Sequence, residues 1–220
     1  MKKDKILILG IGLVVLLGAA YAASSYNGGH KAPVVSTSQD APEKPFVVPD
    51  DSIKAEFTHI AGWTEVTGSN YFRAYSPDLK YACSDGEHTY KELEKIAASI
   101  SPEDSDPGPC FRSPISKGSD LVIVNQGDMG LAGYTLDNIP NNFTDGNQGN
   151  TIKNVRNVKV DGYDAVRWED SYGDNPISNS TVAIIKDHGI YMIRQSWAPQ
   201  VKNPYPDLMD KLIASFKFTS

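Results

Sequence analysis

A chain of 220 residues with a formal net charge of −6 has room for one core of ordinary size. Its acidic balance excludes nucleic acid as a partner, because phosphate binding needs a basic face. Apolar residues at 40% and aromatics at 10% exclude the disordered acidic class and predict a globular domain.

Lys2, Lys3 and Lys5 open the chain, and residues 6–23 then pass without a single charge. Two forms of export element are open here. The positive start, the apolar run and the small residues Ala20 and Ala22 match a signal peptide cleaved near Ala22. The uncharged length also approaches that of a spanning helix, so an uncleaved anchor over residues 6–23 fits equally, with the lysines holding its start in the cytoplasm. Either form predicts an extracytoplasmic protein, anchored in the membrane or secreted. No cysteine follows the apolar run, which excludes a bacterial lipoprotein thioether.

Residues 24–50 carry Pro33, Pro42, Pro45 and Pro49, which withhold backbone donors, and predict a disordered Pro/Ser-rich linker. A single globular domain is expected over 51–220. The chain's two cysteines, Cys83 and Cys110, both fall in the exported part, where oxidising surroundings predict a disulfide between them. Their spacing matches no zinc pattern.

Within the domain the first clear element is a helix over 89–100. Thr89 and Glu92 have capping-box spacing, and Leu93, Ile96, Ala97 and Ile100 recur on one face before Pro102 ends the helix. The short apolar run 121–124 predicts a buried strand. Val158 and Val160 alternate with polar residues up to Asp161-Gly162, a strong hairpin signal, so 163–169 is the returning strand. A second hairpin follows over 181–186 and 190–197, with apolar residues on both faces. A helix opened near Asn203-Pro204 carries Met209, Leu212, Ile213 and Phe216, and Phe216 and Phe218 mark a closing strand. These elements predict an α+β fold, a mainly antiparallel sheet flanked by helices.

The pattern from Val158 through Asp161-Gly162 to Arg167, then His188-Gly189 to Ile193, then Asp210 to Phe218 resembles the closing elements of PsbP-like domains. That group includes an extrinsic photosystem II subunit and many exported bacterial proteins. The resemblance covers the C-terminal third, and Gly62-Trp63 is similar to the tryptophan near the start of such domains. It implies an α/β/α sandwich used for binding or assembly, and it supplies no catalytic residues.

Catalytic, phosphate-binding and dinucleotide motifs are absent from the sequence, so no catalytic residue and no cofactor is predicted. His188 precedes Gly189 in a tight turn and reads as a turn residue, and His59 and His88 lie far from it. Glu169, Asp170, Asp174 and Asn175 cluster as oxygen donors of the kind hard cations use, though in no EF-hand spacing. Glu103, Asp104 and Asp106 form a second acidic loop. Among the late aromatics Tyr163, Trp168, Tyr172, Tyr191, Trp197 and Tyr205, the pair Trp197 and Tyr205 flanks a proline-rich loop and is the candidate interaction surface. The sequons at Asn142 and Asn179 matter only in a eukaryotic secretory route.

The leading functional expectation is a noncatalytic module that binds another envelope protein or complex, tethered through the N-terminal segment if that is uncleaved. Two alternatives stand beside it. One is an envelope hydrolase of wall or sugar polymers using Glu169 and Asp174 as acid and base; the other is a small-ligand binder.

Overall fold

The structure, a computed structural model, describes residues 34–37, 45–47, 53–58, 60–67, 71–99, 114–127, 133–144, 150–171, 177–187, 189–199 and 201–219. Two strands, β1 (Val34–Thr37) and β2 (Pro45–Val47), lie within the stretch expected to be a linker. Next come β3 (Ala55–Thr58), β4 (Thr64–Thr67) and β5 (Tyr71–Tyr75). The hairpin β6 (Lys80–Cys83) and β7 (Gly86–Thr89) leads into α1 (Tyr90–Ser99), and β8 (Ile115–Lys117) and β9 (Ser119–Asn125) follow. After the short α2 (Ile139–Phe143) the chain makes β10 (Thr151–Val160), β11 (Tyr163–Ser171), β12 (Ser178–Lys186) and β13 (Gly189–Trp197). It closes with α3 (Leu208–Ser215) and β14 (Lys217–Phe218).

Eight strands form one sheet in the order β1-β4-β5-β9-β13-β12-β11-β10, with every neighbouring pair antiparallel. Both expected hairpins are present. Asp161 and Gly162 take φ of 50° and 83°, the paired positive values of a two-residue turn, and set Val160 opposite Tyr163. The apolar run 121–124 lies within β9, in the interior of the sheet, as its lack of polar alternation requires.

Because side chains alternate along a strand, neighbouring residues feed different cores. Ala165, Val182, Ile184 and Ile193 face a core closed by Phe57 of β3 and by Leu212 and Phe216 around α3. Val166, Ala183 and Met192 face the other way, onto Ile139 and Phe143 of α2. Each fully buried Val, Leu, Ile, Phe or Met side chain among these contributes roughly 1.5–3 kcal/mol. A third cluster, Val66, Tyr75, Leu79, Tyr81 and Ile115, joins the main sheet to a small sheet of order β7-β6-β8, against which Leu93 of α1 packs.

The expected helix-flanked sandwich is therefore only partly matched: the molecule is a sheet-rich fold with few helices. One face is covered by α3 together with a three-stranded sheet, β14-β3-β2, where flanking helices alone were anticipated. The linker expectation also fails at two places, since β1 pairs with β4 and β2 with β3. The prolines do not prevent this, because Pro45 is the first residue of an edge strand, where its missing donor is tolerated. The apolar leader, residues 1–23, lies outside the described residues; among those that are described, no helix is long and apolar enough to cross a membrane.

Local sequence accounts for the helix starts. The Thr89 backbone N–H donates to Glu92 Oε2 at 2.7 Å, and the Glu92 N–H reaches back to Thr89 Oγ1 at 3.4 Å, the reciprocal capping box. The last helix begins at Leu208, later than Asn203-Pro204 suggested. Asn203 Oδ1 accepts the Tyr205 N–H at 2.8 Å, holding that stretch in a side-chain-supported turn instead. Gly118, at φ 75°, links β8 to β9 where a Cβ would stand 2.7 Å from the Leu79 backbone, so only glycine lets the two segments pass.

Candidate functional site

Trp63 follows a turn closed by its own N–H donating to the Ile60 carbonyl at 3.1 Å, which sets the indole at the end of the 60–63 segment. Tyr205 meets it edge-on, with ring centroids 5.1 Å apart. Between this segment and the first turn of α3 lies a groove of about 480 Å³, walled by Ile60, Trp63, Tyr205 and Leu212, with Asp207 and Lys211 also lining it. Aromatic rings with a few fixed polar groups are the usual composition of a recognition groove.

Several side chains from distant parts of the chain fix this groove. Gln195, fully buried on β13, donates its amide to Asn203 Oδ1 at 3.0 Å and to the Tyr205 carbonyl at 3.3 Å. The Tyr205 hydroxyl donates to Asp78 Oδ1 at 2.9 Å, and the Ser76 hydroxyl donates to the same oxygen at 2.8 Å. Burial pushes the Asp78 carboxyl up, but the bonds from Ser76 and Tyr205 outweigh that and hold it below the usual carboxylate range. The Tyr205 phenol is pushed up, first by burial and then by Asp78. Asp78 and Tyr205 accordingly serve as a charged acceptor and its neutral donor at neutral pH.

The structure separates the two residues of the expected interaction surface. Tyr205 is half-buried at the groove, whereas Trp197 is buried, at only 8% exposed. That part of the expectation is corrected: Trp197 ends a strand whose register with Ser119 and Ser178 carries it into the sheet. Asp78 and Gln195 were not singled out by sequence, and Asn203 was read only as a helix start, because their roles at the groove depend on contacts between segments apart in the chain.

Of the acidic cluster, the two described members, Glu169 and Asp170, do not share a face. Glu169 and Asp170 are consecutive on β11 and point to opposite faces. Asp170 is 4% exposed and accepts the Trp168 indole N–H at 2.8 Å and the Asn179 amide at 2.5 Å, which makes it a structural acceptor. Glu169 Oε2 accepts from the Asn154 amide at 2.8 Å. Asp174, Asn175, Tyr172, His59, His188 and the acidic loop of Glu103, Asp104 and Asp106 lie outside the described residues, as does Cys110.

Two further polar groups belong to the architecture. Cys83, Asp85 and His88 bring ligand-type atoms within 4.8 Å of one another. No cysteine is free among the described residues, so no thiolate is on offer there, and His88 Nε2 already bonds Asp85 Oδ1 at 2.8 Å. Asp120, 3% exposed, sits among Arg73, Tyr75 and Arg194; burial pushes its carboxyl up, and the Arg73 charge draws it partly back.

No protein-family model matches the chain, and no curated protein matches it. Among solved structures the chain is similar to the solution structure of cyanobacterial PsbP (CyanoP) from Synechocystis sp. PCC 6803, at 13% sequence identity and a TM-score of 0.37, over 87% of this chain and 96% of that one.

Proposed function

We propose that this chain is an exported, membrane-tethered, noncatalytic binding or assembly module of the cell envelope, and that it holds a protein partner in the groove beside Tyr205. The observation that carries this reading is the preorganised groove itself: Tyr205 is held from below by Asp78 and from behind by Gln195, so its ring is fixed before any partner arrives. Preorganisation of this kind lowers the ordering cost of association. The uncharged run over residues 6–23 supports export, and the net charge of −6 argues against nucleic acid as the partner. A Cys83–Cys110 bridge belongs to the same reading, as a fastening suited to oxidising surroundings.

Photo-crosslinking in the native envelope tests it. A benzophenone side chain placed at Lys211, on the groove wall and exposed, should capture one envelope protein, and Tyr205→Ala should reduce that product at least about tenfold, the loss of a buried aromatic anchor. Hydrolysis of a wall polymer by the pure chain, lost in Glu169→Gln, would replace the binding reading with the enzyme reading.

A further inference from the structure

Strand β10 ends the eight-stranded sheet, and its outer edge pairs with no strand among the described residues. Residues 153–157 are all exposed, so the strand is uncovered on both faces there, and Val155 at 53% is the most exposed large apolar side chain among the described residues. The strand reads TIKNVRNVKV: it contributes Lys153, Arg156 and Lys159 and no acid, in a chain whose net charge is −6.

Midway the register slips between Lys153 and Arg156, where Asn154 takes a φ of 56°. A bulge of this kind re-aims side chains and bends the strand. Here it opens a pocket of about 220 Å³ lined by Asn154, Val155, Arg156, Arg167 and Glu169. Arg156 and Arg167 stand directly opposite each other, an arrangement that repels unless an anion answers it. Asp210 of α3 bonds Arg167 Nη1 and lies 3.9 Å from Arg156 Nη2, while Glu169 is engaged by Asn154. One carboxylate thus serves two guanidinium groups, and the Arg156 side chain, 58% exposed, keeps donors for a second.

We propose that β10 receives an extended acidic peptide segment as an added strand, with one of its carboxylates seated in the bulge pocket against Arg156. Main-chain bonds along the edge supply attachment, and the pocket with Lys153 supplies selection for acidic side chains, Lys159 being answered already by Asp164 at 2.7 Å. A second copy of the chain is the poorer occupant: antiparallel pairing of two β10 strands about Arg156 sets that residue against its own copy and Lys153 against Lys159, and no register of two such strands brings an acid to these cations. Edge lysines deter indiscriminate pairing, and the same cations fix the sign of the strand that is accepted.

The test uses the full chain in detergent and a fluorescein-labelled peptide of alternating Glu and Val, followed by anisotropy and by amide exchange. Saturable binding is expected, with new protection at β10 amides. It should weaken at least about tenfold in Lys153→Glu/Arg156→Glu, the scale of losing a charge-assisted contact. If Arg156→Glu disturbs the fold through Asp210, the exposed Lys153→Glu alone carries the comparison. Tyr205→Ala should leave this binding unchanged, which separates it from the groove. Equal affinity for a Lys-Val peptide, protection confined to the Tyr205 groove, absence of binding at millimolar peptide, or dimerisation of the chain in place of peptide capture would each overturn the proposal.

Discussion

The Tyr205 hydroxyl and the Asp78 carboxylate, 127 positions apart in sequence, meet at 2.9 Å and tie the groove wall to the turn between β5 and β6. Tyr205→Phe removes that bond and is expected to cost about 1 kcal/mol at neutral pH. Asp78 titrates lower in the folded chain than in the unfolded one. Its contribution is therefore complete above the unfolded carboxylate pKa of about 4 and is lost as the pH falls through the folded value. Urea unfolding of wild type and variant should differ at about pH 7 and converge in acid. A difference that persists in acid would assign the loss to ring packing.

Asp170→Asn places an amide where two donors, the Trp168 indole and the Asn179 amide, already converge. The expected loss is about 2 kcal/mol, since a buried donor is left without an acceptor. Thermal unfolding measures it, and adding calcium should leave the wild-type midpoint where it was. A calcium-dependent rise that vanishes in Asp170→Asn would restore the cation-binding reading of this acidic stretch.

Comparison of two fragments examines the stretch before the domain. A fragment beginning at Asp51 lacks β1 and β2 and bares the edge of β4. It should unfold at lower urea than a fragment beginning at Ser24, and should aggregate sooner, as uncovered edges do. Equal midpoints would mean that the two strands contribute nothing to stability.

Peptide mapping without reduction should recover Cys83 linked to Cys110. Opening the bridge with a dithiol is expected to lower stability by about 3 kcal/mol, the chain-entropy value for a loop of this size. Two alkylatable thiols in protein recovered from outside the cytoplasm would remove the bridge from the account.

Elements whose signals are local were legible in the sequence. The capping box of Thr89 and Glu92, the Asp161-Gly162 turn and the stripe of Met209 and Leu212 each state their geometry within a few residues. Strands β3 to β5 were less visible, because β3 and β4 are only four residues long and β5 carries Arg73 among its buried positions, so neither alternation nor an apolar run stands out. The groove was half legible. Tyr205 was found through its proline-rich surroundings, but Asp78 reaches it from the turn between β5 and β6 and Gln195 from β13, and no local pattern encodes such a meeting. Trp197 shared the same surroundings and was misjudged, since strand register, not loop composition, decides which way a terminal aromatic turns.

Lys217 and Phe218, almost the last residues of the chain, pair with Glu56 and Ala55 of β3, and the Thr219 N–H donates to the Lys54 carbonyl at 2.7 Å. A chain that emerges N-terminus first consequently carries β3 without this neighbour until β14 has followed. Contacts of such long range form slowly. Until β14 is in place, the sheet of order β14-β3-β2 that covers one face of the core is incomplete.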